Sequence, residues 1–337
     1  MSYLAPLVTF IIPAYNSSIY IKRCLDSILS QEYSNIEIVV IDDGSTDDTL
    51  EKLNKIALMD KRIRVFHKPN EGQGVARNFG LLEARGKYIS FVDSDDYISD
   101  HFLARLIECL NCDNDFDFIN FRIDFRTDLN VVKYVLPEYS RHHLTGDEIF
   151  KRAMLDDLIY SSPCNKIYNA DFLKKNNIFF PHRRKNEDIL FSRVLSFFST
   201  KCLFINDVLY HAEIRADSTS RKMSCSSIKE TISIYAHLEH FLVDKKKFLD
   251  YEIYLSASRK KVFTQLVILC SIRIKDNDDY IKTVEVFKKH KSYCDFKSMK
   301  GIGLLRTKNK LLYLFVRFSG FGFIRFMSST FLQRYIY

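Results

Sequence analysis

Within the first 93 residues, short apolar β-branched runs alternate with segments of helical periodicity. "LVTFIIPAY" (7–15), "IEIVVIDDGS" (36–45), "RIRVFHK" (62–68) and "KYISFVD" (87–93) read as strands. Between them, "SSIYIKRCLDSILSQ" (17–31) places Ile21, Leu25, Ile28 and Leu29 at helical spacing. "STDDTLEKLNKIALM" opens with Ser45 and Asp48 in a capping-box-like arrangement, and "GVARNFGLLEA" (74–84) is a third helix. Strand–helix–strand alternation requires crossovers, which are right-handed and give a mostly parallel sheet with flanking helices. Ligands of such sheets sit at the carboxyl ends of the strands. Two acid-rich stretches, "DDGS" and "DSDD", fall at such ends and should line one crevice.

From about 100 to 225 the pattern is mixed, and from about 226 it reads as helices. Apolar runs near the start are broken by Pro6 and Pro13, so no signal peptide is read there, and no window is long and apolar enough for a transmembrane helix. Cys109 and Cys112 form a lone C-x-x-C among eight scattered cysteines, which favours reduced cytosolic thiols over a zinc site.

Asp93, Asp95, Asp96 and Asp100 crowd the end of the fourth strand. Like charges this close persist where a cation lies between them or where they face water. A D-x-D with phosphate oxygens makes a hard-oxygen site for Mg²⁺ or Mn²⁺; a solvated acidic turn is the alternative. Other crevice chemistries fail on their motifs. "GQG" (72–74) is not at the first turn, and Arg77 stands where a dinucleotide fingerprint has its third glycine. There is no Walker Gly-Lys-Ser/Thr and no G-x-S-x-G.

"VTFIIPAYNSSIYIKRCLDSILSQ", "EIVVIDDGSTDDT", "KPNEGQGVARNFGLLEARGKYISFVDSDD" and "KNEDILF" occur together and in order. As a set they closely resemble the family 2 glycosyltransferases of the GT-A fold, strongly over residues 5–100 and more loosely over 150–221. The resemblance implies a Rossmann-like α/β domain over 1–225, with a nucleotide-sugar half (5–100) and an acceptor half (101–225). A helical C-terminal region (226–337) would follow. It also implies an inverting transferase with a nucleotide-sugar donor, usually UDP-linked, and a saccharide or lipid-linked saccharide acceptor. Pro13, Ala14 and Tyr15 would contact the nucleoside and Asp43 the uracil, while Arg77 and Asn78 would border the donor. Asp93 would touch ribose or metal, and Asp95 would ligate Mn²⁺ or Mg²⁺. Asp42 reads as structural, and Asp96 as either a cap, a solvated acid or a ligand. Asp188, with Glu187 beside it, matches the family's Glu-Asp pair and would be the base; a helix start also favours acids there. Arg215, Ser218 and Arg221 are candidate diphosphate partners, His211 a candidate metal ligand, and Lys166 falls in a recurring family segment. A sugar-1-phosphate nucleotidyltransferase shares the metal logic, but "PAYNSS" lacks its basic glycine-rich loop. A non-catalytic nucleotide-sugar-binding module would be favoured by a missing acid or base, and none is missing.

The formal charge of +8 lies wholly in the last 42 residues, which hold eight bases and no acid. In the tail 296–337 those bases are interleaved with Phe, Tyr and Leu. The pattern suits an amphipathic segment at an anionic membrane surface, placing the protein peripherally on the inner face of the cell membrane. A helix packed on the core is the alternative. Nothing else in the chain resembles a nucleic-acid module.

Overall fold

The computed structural model describes residues 6–127, 129–156, 158–182, 186–214, 225–274, 276–290, 299–319, 321 and 324. Two compact units divide the chain: 1–150 with 158–216, and 151–157 with 217–337.

The first unit is built on β1 (Val8–Ala14), whose seven residues are all buried. It lies between β2 (Ile36–Asp42) and β4 (Tyr88–Phe91), and β3 (Ile63–His67) flanks β2; all these pairings are parallel. Strands buried on both faces carry unbroken apolar runs, which is why "VTFII" and "IEIVVI" were legible. The chain winds outward from β1 to β3 and then returns to place β4 on β1's other side. The reversal opens a crevice beyond the carboxyl ends of β1 and β4.

Past β4 the sheet becomes mixed. β9 (Lys166–Asn169) runs antiparallel between β4 and β6 (Phe118–Arg126), and β6 pairs in parallel with β10 (Lys201–Glu213). Short β5 (Tyr97–Ile98) and β8 (His143–Thr145) run antiparallel on β10, and β7 (Val132–Val135) runs antiparallel on β6. The carboxyl ends of β6 and β10, and the start of β9, therefore share the edge where β1, β2 and β4 end.

Helices α1 (Ile21–Leu29), α2 (Thr49–Met59) and α3 (Gln73–Glu83) connect the parallel strands. In α1, Ile21, Cys24, Leu25 and Ile28 face inward at the expected spacing. The expected capping box at Ser45 does not form. Helix α2 starts at Thr49, whose amide and hydroxyl both donate to Asp47, while Ser45 Oγ accepts from Asn16 N (3.0 Å). α3 packs hard on the sheet through Gly80: a Cβ there would lie 2.3 Å from Ile11 Cγ2 and 3.0 Å from Ile41 Cδ1. Gly80→Ala is expected to lower stability. Overpacking costs about 1–3 kcal/mol against about 1 kcal/mol gained in helix propensity. Thermal unfolding followed by circular dichroism checks this; an unchanged or raised Tm would contradict it. Helices α4 (Phe102–Cys112), α5 (Asp147–Leu155), α6 (Ala170–Lys175) and α7 (Glu187–Phe198) follow, α5 crossing the unit boundary.

The second unit holds α8 (Cys225–Asp244), α9 (Phe248–Arg273), α10 (Asn277–Lys289) and α11 (Thr307–Phe318). α11 packs on α9. The buried residues Leu312, Tyr313 and Val316 form one face of α11, while Leu311 and Phe318 remain 63% and 78% exposed. This stretch of the basic tail thus has both a packed face and an exposed apolar one. No helix among the described residues is long and apolar enough to cross a membrane.

Candidate active site

Pro13 and Ala14 end β1 opposite Ile41 and Asp42, and Tyr15 projects half-exposed beyond them. Asp42 is fully buried; one oxygen meets His67 Nδ1 (2.7 Å) and the amide of Ser45 (3.3 Å), a structural role. Asp43 accepts from Lys68 Nζ (2.7 Å) and from the amides of Glu71 (3.0 Å) and Gly72 (2.8 Å). Its carboxylate therefore shapes the glycine loop that begins α3. Three protein donors hold a side chain that is only 4% exposed.

The crowded acids beyond β4 each have a different environment. Asp96 is buried, not solvated, and α4 is capped at His101, so Asp96 is no helix cap either. Its oxygens accept from Tyr210 Oη (2.7 Å) and Glu213 N (2.8 Å). Burial, and then the charges of Asp95 and Asp93, push its pKa well up, toward the neutral form. Tyr210 Oη also accepts from the amide of Asp93 (3.1 Å), fixing the loop. Asp93 Oδ1 accepts from Arg77 (2.7 Å), and the side chain stays 33% exposed. Asp95 is half-buried; its backbone carbonyl accepts from Arg23 (2.7 Å), whose guanidinium lies over the Tyr97 ring. One buried acid near neutrality and one paired with arginine relieve much of the repulsion before any cation is considered.

Arg77 is buried on α3 and forks between two carboxylates. One nitrogen meets Asp93; another meets Glu187 Oε1 (3.1 Å), which also accepts from Gln73 Nε2 (2.8 Å). Burial opposes the guanidinium's charge, but Asp93 and Glu187 outweigh it and raise its pKa. Glu187 is buried at the first position of α7, and Gly74 leaves it room: a Cβ there would be 2.9 Å from Glu187 Cγ. Asp188 follows, partly buried, with Oδ1 accepting from Ile189 N (2.9 Å). Burial, with Glu187's charge adding to it, raises Asp188 to about 6 despite Arg77.

Asn78 does not line a donor pocket through its amide. Nδ2 donates to Phe180 O and Oδ1 accepts from Phe180 N, both 2.8 Å, clamping the strand of chain that leads to α7. Phe180 in turn stacks on Phe191, ring centroids 3.9 Å apart. Lys166 is buried, donating to Tyr160 O, Ser162 O and Asn165 Oδ1 within 2.8 Å, and so holds a loop. His211 lies on β10 with Nδ1 bonded to Asp124 (2.7 Å) and its ring against Tyr97. Burial lowers its pKa. Among the described residues no group of three or more His, Cys, Asp or Glu is arranged to hold a metal ion, and Nδ1 of His211 is taken by Asp124. Arg215, Ser218 and Arg221 lie outside the described residues. A cleft of about 670 Å³ lined by Asp117, Phe172, Lys174 and Thr200 sits at the starts of β6 and β10, the opposite edge, and holds none of these acids.

Sequence reading missed Tyr210 and Gln73. Tyr210 looks like any strand aromatic, and Gln73 sits in a loop read for its glycines.

Residues 9–176 match the family described as Glycosyl transferase family 2. The chain is also 30% identical over 242 residues to the glycosyltransferase GlyG of Streptococcus pneumoniae, covering 69% of this chain and 79% of that one. It belongs to the family 2 glycosyltransferases. The fold of this glycosyltransferase is shared with TarS (residues 1–349) of S. aureus, crystallised with UDP-GlcNAc. The TM-score is 0.64 at 23% identity, over 97% of this chain and 92% of that one. It is shared more distantly with the mannosyltransferase PcManGT of Pyrobaculum calidifontis, in complex with GDP-Man and Mn²⁺. There the TM-score is 0.53 at 14% identity, over 98% and 89% of the two chains. The α/β class and the transferase chemistry expected from the sequence motifs both hold.

Proposed function

We propose that this glycosyltransferase moves a hexose from a UDP-linked donor to a saccharide acceptor, inverting the anomeric carbon, and that it requires Mn²⁺ or Mg²⁺. The observation that carries the reading is the pairing of Asp93 and Glu187 through Arg77. It brings the D-x-D loop of the donor half to the start of α7, where Asp188 stands. Asp188 takes the proton of the acceptor hydroxyl as that oxygen bonds the anomeric carbon. The bond from that carbon to the diphosphate oxygen breaks on the opposite face, and the electron pair leaves with UDP. A carboxylate raised to about 6 is still ionised at neutral pH, yet is a better proton acceptor than an ordinary aspartate. Pro13, Ala14 and Tyr15 border the nucleoside, with Asp43 shaping the loop beside it.

For the cation, Asp95 and the exposed side of Asp93 offer two hard oxygen donors. Mg²⁺ and Mn²⁺ sites are commonly completed by substrate phosphates, so the pair fits. When bound, the ion would neutralise charge developing on the leaving diphosphate. Incubation with a panel of nucleotide sugars and Mn²⁺, scoring released nucleotide, tests the reading. Release from a UDP-sugar that chelator stops supports it. Release unaffected by excess chelator removes the metal, and release from no donor removes the activity.

The acceptor proposed is lipid-linked, in the assembly of a surface polysaccharide at the inner face of the cell membrane. Its support is the family resemblance and the acid-free tail. Beside the exposed Leu311 and Phe318 of α11 stand Lys308, Lys310 and Arg317. Each base near an anionic surface contributes about 1 kcal/mol, and apolar side chains add by entering the headgroup boundary. The protein is expected to float with anionic liposomes at low salt and not with neutral ones. The double variant Leu311→Glu, Phe318→Glu, which leaves the packed face intact, should stay behind. Equal flotation of variant and parent would show that α11 does not dock.

A further inference from the structure

We propose that Arg77 and Glu187 form a positioning device for transfer: one guanidinium fixes the distance between the donor-side acids and the start of α7. The proposal rests on the reading of Asp188 as the base. Three features of α3 converge on Glu187. Gln73 and Arg77 donate to the same oxygen, and Gly74 admits its side chain where a Cβ would come within 2.9 Å. The next residue, Asn78, holds Phe180 by two hydrogen bonds, and Arg77 lies over the Phe180 ring at 5.3 Å. The first six residues of α3 thus seat both Phe180 and Glu187.

Stability alone does not account for the arrangement. A buried charge pair stabilises a fold little, because desolvation offsets most of its attraction, and apolar residues of similar volume do as well. Arg77 Nε is also buried without a partner among the described residues, a further cost. What the fork does supply is geometry. Asp93 sits on the loop after β4 and Glu187 at the head of α7, and no covalent link shorter than 90 residues joins them. In a displacement reaction, a shift of about 1 Å between base and donor costs about 10²-fold in rate.

Four variants test this: Glu187→Ala, Glu187→Gln, Gly74→Ala and Asp188→Asn. Turnover is read as UDP released from the UDP-sugar that the parent accepts, and UDP affinity with Mn²⁺ by calorimetry. Glu187→Gln keeps an oxygen for Gln73 and Arg77 and should hold turnover within about threefold, whereas Glu187→Ala should lose about 10²-fold. UDP affinity should barely change in either. Gly74→Ala alters no charge and adds a better helix former, so it folds even if Glu187→Ala does not. Its Cβ displaces Glu187, and kcat should fall about tenfold. Equal losses for Gln and Ala, or a loss confined to UDP affinity, would overturn the inference. Normal turnover in Gly74→Ala and Glu187→Ala beside an inactive Asp188→Asn would overturn it while leaving the base assignment standing. Full turnover in Asp188→Asn, or a parent that releases no nucleotide, would remove the base reading and the inference together.

Discussion

Asp188→Asn is expected to cut turnover by about 10²-fold or more while leaving UDP affinity unchanged. Asn has the same size and still accepts a hydrogen bond from Ile189 N, but it cannot take a proton. The parent's pH profile should carry the same signature. The base works only when ionised, so kcat should rise with pH up to about 6 and level off above it. The variant should lack that limb. Linkage sets the sign for stability. A carboxyl whose folded pKa is raised is held unfavourably as the anion, so its cost is present above about 6 and disappears as pH falls through the ordinary carboxylate range. Asp188→Asn should therefore be no less stable than the parent at pH 7. If turnover survives and Tm falls, Asp188 is a helix-start residue and nothing more.

Asp95→Ala should lower transfer by about 10³-fold or more, the scale of losing a cation's charge stabilisation. It should not cost stability. Asp95 is the second contributor, after burial, to the raised pKa of Asp96, so its removal relieves repulsion in the loop. The checks are UDP release with saturating Mn²⁺, Mn²⁺ binding by calorimetry with UDP present, and thermal unfolding. Wild-type turnover and unaltered Mn²⁺ binding would exclude the D-x-D as the cation's seat.

Residues that act through local pattern were legible before any coordinates. The parallel half announced itself because β1, β2 and β4 are buried on both faces and must be apolar throughout. Their carboxyl ends then followed from the topology, and with them the position of Asp42, Asp43, Asp93 and Asp95. Residues whose meaning depends on a distant partner were not legible. That Asp43 also shapes the glycine loop shows only when the amides of Glu71 and Gly72 arrive. Asn78 reads as a pocket residue until Phe180, 102 positions away, closes on it. Asp96 is indistinguishable from its neighbours in sequence, and only Tyr210 and the Glu213 amide make it a buried structural acid. Antiparallel β9 was hidden for a related reason. "KIYN" is too short to show a period, and its pairing with β4 and β6 is entirely long-range.

The clamp at Asn78 bears on how such enzymes can be recombined. Beyond β9 the chain is fastened to α3 by the backbone amide and carbonyl of Phe180 and by the carboxylate of Glu187. The first fastening reads the backbone of Phe180 alone, and the second asks for one side-chain oxygen. A foreign partner segment joined to residues 6–98 therefore has these requirements among others: an unblocked peptide at the position of Phe180, hence no proline there, a glutamate or glutamine at the head of its α7, a strand that pairs with β4 as β9 does, and a tyrosine that reaches Asp96. Chimeras that honour all of these should fold and, on the proposed function, take donor choice from one parent and acceptor choice from the other.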